Sequence, residues 1–138
     1  MIDGRRYFLK WLALLPFAPI ALRTEAKPKA VWAGAPPTVY LLNVFSVAGF
    51  QYHEGQKVLR RLRTGELLTL KAEPENPHDE FAVRIERLGT MLGYVPRSDN
   101  RHISRLLRQG VRLTCRIVEA DCQARPWNQV RVEVAFRG

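Results

Sequence analysis

Long apolar runs are missing from this chain. No stretch reaches the ~18–20 residues of a spanning helix, and the most hydrophobic segment, residues 11–22, is broken by Pro16 and Pro19. Cysteine is scarce. Cys115 and Cys122 are too few for a disulfide scaffold, and their spacing is not the C-x-x-C of a zinc site. There is no H-E-x-x-H and no paired His/Cys motif, so the metal-ligand types reduce to the scattered His53, His78, Asp79 and His102. No cofactor is expected on that basis, with zinc kept as the alternative. Internal repeats are absent. Acids are short as well: 13 Asp and Glu against 22 Lys and Arg leave a formal charge of +9.

What is present is a chain of 138 residues, 46% hydrophobic and 25% charged, which suits one folded domain with a tail. Seventeen of the basic residues are arginine, whose guanidinium fork binds phosphate bidentately. A domain this basic points toward polyanions, either nucleic acid or anionic lipid.

Residues 1–26 read as an address. Gly4-Arg5-Arg6-Tyr7-Phe8-Leu9-Lys10 resembles the twin-arginine export signal, followed by an apolar stretch of signal-peptide length. Cleavage after Ala26 or Ala35 gives an exported, periplasmic or envelope protein; without cleavage the segment is an inner-membrane anchor. Residues 27–38, rich in Pro and Ala, read as a linker, and residues 39–138 as the domain. From Lys27 onward the charge is still +7, so the basicity belongs to the domain.

Residues 38–50 are β-branched and aromatic, predicting a strand that ends at Gly49. Residues 67–72, 81–86, 91–95, 111–118 and 130–136 predict five more, the last two alternating apolar with polar. Two short helices are predicted. One covers residues 55–62; the other covers about 100–109, capped by Ser98 or Asp99 and ended by Gly110. Strands without β-α-β regularity predict a mainly β fold, a small six-stranded barrel with helical inserts.

Two constellations carry chemistry. On the second helix Arg101, Arg105 and Arg108 form one stripe, and Lys57, Arg60 and Arg61 form a smaller one on the first. The loops 50–55 and 75–80 set flat rings beside hydrogen-bonding groups, the mixture that unpaired bases and sugars require. Asn76 and Asp79 also suit a turn held by side-chain to backbone bonds. Cys115 falls on the inward face of its strand as core. A Cys115–Cys122 bridge is permitted in an exported protein.

The runs Val47-Ala48-Gly49-Phe50-Gln51-Tyr52-His53, Glu73-Pro74-Glu75-Asn76-Pro77-His78-Asp79-Glu80-Phe81-Ala82-Val83-Arg84-Ile85 and Leu92-Gly93-Tyr94-Val95-Pro96-Arg97 resemble the HIRAN domain over residues 40–136. The resemblance implies an OB-like β-barrel. That domain occurs alone in bacteria and fused to DNA remodellers of the helicase-like transcription factor type. Eukaryotic members bind single-stranded DNA at a free 3′-hydroxyl end, holding the terminal nucleotide with aromatic rings and its hydroxyl with an acid.

Carried over by position, Tyr52 resembles a base-stacking ring, and His78 stands where the helicase-linked relative has tyrosine. Asp79, supported by Asn76, resembles the contact to the 3′-hydroxyl. Arg97 resembles a phosphate contact with Tyr94 beside it, and Trp127 would add a stacking surface. Gln51 replaces an arginine of that relative. Nothing in the chain resembles a helicase motor, a RING finger or a nuclease. The expectation is therefore a non-catalytic, monomeric binder of single-stranded nucleic acid, preferring DNA 3′ ends, with transient membrane association through its N-terminal segment. The competing readings are an envelope module binding acidic partners through its arginine face, and a metal-dependent phosphodiester hydrolase.

Overall fold

A computed structural model describes residues 36–138; the expected signal segment and most of the linker lie outside them. The order is β1 (Val39–Ser46), α1 (Gly55–Val58), β2 (Leu67–Ala72), β3 (Val83–Arg87), β4 (Thr90–Tyr94), α2 (Arg97–Arg108), β5 (Leu113–Ala120) and β6 (Val130–Arg137), with 3-10 turns at Phe50–Tyr52, Leu59–Arg61 and Pro126–Asn128. The fold is mainly β, with six strands and two short helices, as the patterning predicts.

The strands form one antiparallel sheet in the order β1-β6-β5-β2-β3-β4. Alternation explains its two faces. Cys115 and Ile117 of β5 pair with Val134 and Val132 of β6, and Leu70 of β2 pairs with Ile85 of β3, all turned to one core. Phe50, Leu92 and Ile103 complete that core. β2 serves both halves of the sheet: Leu67 and Leu68 pair with β5, and Thr69 to Ala72 pair with β3.

The six strands agree with the expected OB-like fold, but the sheet does not close into a barrel. The ladder stays open between β4 and β1. The gap is spanned by one bridge, in which Ala48 donates to the Tyr94 carbonyl at 2.8 Å and Tyr94 donates back at 2.9 Å. The reason lies in β1, which ends at Ser46 rather than at Gly49. Gly49 adopts φ +70° and turns the chain into the Phe50–Tyr52 turn before a longer ladder can form.

The first helix is also shorter than predicted. After Val58 it tightens into a 3-10 turn, which places Leu59 and Leu62 one above the other in the core. Lys57, Arg60 and Arg61 therefore do not share a helical stripe, and Lys57 is paired with Glu54 at 2.6 Å. The second helix starts at Arg97, with Pro96 at its N-cap and no side-chain cap. Asp99 does not cap it, because its carboxylate accepts from Asn43 of β1 and from Ser98, both at 2.7 Å. Both cysteines are free, Cys115 buried and Cys122 exposed. Burial, and then the Glu133 charge, push the Cys115 thiol up to about 12.

Gly93 is where the sheet edges meet. A Cβ there would stand 2.4 Å from the Ala48 carbonyl oxygen and 2.7 Å from the Val47 side chain. Since the first of these is backbone, Gly93→Ala is expected to cost about 3 kcal/mol in urea unfolding, at the upper end of overpacking effects. With DTNB at pH 8 the native protein should titrate one thiol, Cys122, and the unfolded protein two.

Candidate functional site

The loop between β2 and β3 is closed at its base by Glu73 N–H donating to the Ala82 carbonyl at 2.8 Å. Two side chains shape its interior. Asn76 Oδ1 accepts the His78 N–H, and Asp79 Oδ1 accepts the Phe81 N–H, both at 2.9 Å. These are Asx-type contacts, the reason Asn and Asp suit such turns. The turn-holding role read from sequence is therefore present. Each side chain also has a second partner: Asn76 Nδ2 donates to Glu73 at 3.3 Å, and Asn100 Nδ2 donates to Asp79 Oδ2 at 2.7 Å.

Beside this loop lies a cleft of about 300 Å³. Its walls are Ala48 and Gly49 after β1, Asn76, His78, Asp79 and Ala82 of the loop, Tyr94 and Val95 at the end of β4, and Arg97 and Asn100 of α2. The edge-to-edge bridge at Ala48 and Tyr94 forms its floor on one side. Arg97 donates to the His78 carbonyl at 3.2 Å and stands 3.8 Å from Asp79. Tyr94 donates its hydroxyl to Glu73 at 3.4 Å, and its ring meets His53 edge-on at 5.8 Å.

The electrostatics separate the two acidic and phenolic groups. The Phe81 N–H holds Asp79 below its ordinary 3.8; Asn100, Arg97 and Arg101 act in the same direction, against the effect of burial. Burial and the Glu73 charge push the Tyr94 phenol up, so it remains a donor at neutral pH. The cleft thus presents a fixed anion as acceptor and a cation within a few ångströms of it.

Of the residues singled out by sequence, Asn76, His78, Asp79, Tyr94 and Arg97 are brought together in this cleft. Tyr52 is 81% exposed on the turn that begins directly after Gly49. Trp127, 53% exposed, sits on the Pro126–Asn128 turn packed against it, with the Arg125 guanidinium 5.7 Å from the centre of the Trp127 ring. Gln51 is half-buried and does not line the cleft.

Arg101 lines an adjoining hollow with Phe81, whose ring carries Arg101 at 4.9 Å and Arg105 at 5.6 Å. Arg108 ends the same helix, while Lys57, Arg60 and Arg61 are exposed on another segment. No group of three or more His, Cys, Asp or Glu is gathered as for a metal among the described residues. His102 instead bonds Asn43 at 2.6 Å. Sequence reasoning missed Asn100, Phe81 and the Ala48–Gly49 backbone. Asn100 left no local signal, since an Asn at the start of the predicted helix is ordinary there.

The sequence model described as the HIRAN domain matches residues 41–137. Among solved structures, a protein from Lactobacillus plantarum is 26% identical with a TM-score of 0.61, covering 74% of this chain and 97% of its own. The HIRAN domain of human HLTF shares the fold at 16% identity and a TM-score of 0.54, covering 72% of this chain and 79% of its own. No curated protein matches.

Because its folded value is lowered, Asp79 contributes stability that is fully present above about pH 3.8 and lost as the pH falls through the folded value. Carboxyl-carbon NMR should place its midpoint below 3.8, and Asn100→Ala should move it upward.

Proposed function

The chain belongs to the HIRAN domain family, and on that premise we propose that it is a non-catalytic module binding single-stranded nucleic acid, preferably DNA, at a free 3′-hydroxyl end. One observation carries the reading: the Asp79 carboxylate is held ionised in the cleft, beside Arg97. An ionised carboxylate accepts a hydrogen bond from a hydroxyl and repels a phosphate. A cation at its side suits the first phosphate inward from that hydroxyl. A strand ending in hydroxyl satisfies both groups; a strand ending in phosphate sets like charges against each other.

The remaining contacts follow from the same geometry. The His78 ring is exposed over the loop, and its carbonyl is fixed by Arg97. The Tyr52 ring stands free, so each can stack a base, worth ~1–3 kcal/mol by alanine substitution. Tyr94 lines the wall with its hydroxyl proton given to Glu73, which leaves the phenolic oxygen as an acceptor. The twin-arginine-like start extends the proposal to an exported or membrane-tethered monomer that meets DNA outside the cytoplasm.

The test compares short oligonucleotides ending in 3′-hydroxyl or 3′-phosphate by fluorescence anisotropy, at two salt concentrations. The hydroxyl end should bind at least about tenfold more tightly, a difference near one charge-assisted hydrogen bond. Asp79→Ala should abolish that preference, and Tyr52→Ala should weaken binding about 5- to 160-fold. Equal, wholly salt-sensitive binding to both ends would overturn the end-reading site and leave a basic surface for acidic partners in its place.

A further inference from the structure

The charge of this domain is not spread evenly. On the sheet, Arg84 and Lys71 share Glu86, while Arg87 is paired with Glu66, Arg116 with Glu133 and Arg131 with Glu119; of the strand arginines Arg137 alone is in no ion pair among the described residues. On α2, beyond Arg97 with its contact to Asp79, the cations are left without partners. Arg101, Arg105 and Arg108 take part in no ion pair among the described residues and are exposed.

Arg97, Arg101, Arg105 and Arg108 follow one another in steps of four, four and three, so they form a single stripe. The stripe starts inside the cleft with Arg97 and continues through the adjoining hollow at Arg101. Each four-residue step advances about 6 Å along the helix axis, close to the phosphate repeat of a stretched single strand. Phe81 holds Arg101 and Arg105 on its ring, which orders two flexible side chains before any ligand arrives. Arg60, Arg61 and Arg63 after α1, and Arg112, Arg125 and Arg137 elsewhere, are also exposed and in no ion pair among the described residues, but none of them lines the cleft or the hollow.

We infer that the ligand is a tailed single strand whose phosphates run along α2, from the 3′ end at Asp79 toward the 5′ side at Arg108. The direction rests on the end-binding reading above; the track itself rests on the stripe. Arg97 to Arg108 spans about 16 Å, enough for roughly three to four phosphates. The domain therefore grips a short overhang rather than a single terminal nucleotide.

The experiment measures unlabelled oligothymidylates of two, four, six and ten nucleotides on the full chain by calorimetry. Affinity should rise by about tenfold or more between two and about five nucleotides and then level off. The salt slope should steepen by about 0.7 for each phosphate gained. In R105Q/R108Q the six-to-two affinity ratio should collapse to about twofold or less. R60Q/R61Q removes the same charge elsewhere, and an equal collapse there would overturn the track, as would affinity independent of length. Neutral methylphosphonate linkages should weaken binding at the first four positions from the 3′ end and not at the sixth or beyond; the reverse order would overturn the direction. Length gain that depends on Arg105 and Arg108, with no preference between 3′-hydroxyl and 3′-phosphate, would uphold the track while removing the end-reading site.

Discussion

Two hydrogen bonds between Ala48 and Tyr94 hold the free edges of the sheet together, and the candidate site depends on them. They are possible because Gly93 carries no side chain to strike the Ala48 carbonyl. They fix Gly49 and Tyr94 in the lining of the cleft. A fully laddered barrel would have filled that seam with strand pairing and apolar side chains. An open seam pinned at one point leaves room for a ligand while keeping the core covered.

The loop and α2 then meet over this seam. Asp79 and Asn100 join them through one hydrogen bond, and Arg97 joins them again through the His78 carbonyl. The position of the carboxylate is thus set by the loop backbone on one oxygen and by the helix on the other. On the opposite side of α2, Asn43 ties the helix to β1 through Asp99 and His102. The helix carrying the arginines is anchored at its base on both flanks, and its outer face is left to solvent.

Much of this was legible in the residues. Alternation in β5 and β6 located both strands within two residues, because each buries one face and wets the other. The Asn76–Asp79 loop was legible as a turn from composition, and as a site from its resemblance to a family. Closure of the sheet was not legible, since it turns on where β1 stops, and Gly49 marks a turn without saying how many strands pair. The helix over residues 55–62 was over-read because apolar spacing there fits both a 3.6- and a 3.0-residue repeat. The cap at Asp99 was misjudged because a long-range partner, Asn43, competes for the carboxylate. Asn100 lies 21 residues from Asp79, and no local pattern announces that contact.

Asn76 and Asp79 hold their own loop together with the same side chains that face the cleft. On the proposed function two demands, folding and recognition, fall on the same atoms. A descendant of this chain that lost its ligand would still need both residues to keep the loop, so their persistence records ancestry of the fold. Drift after loss of the ligand would appear first at groups with no structural duty: the Tyr52 ring, the His78 imidazole and Arg108 at the far end of α2. If the proposed function holds, those positions, rather than the loop motif, would divide relatives that still bind from relatives that have stopped.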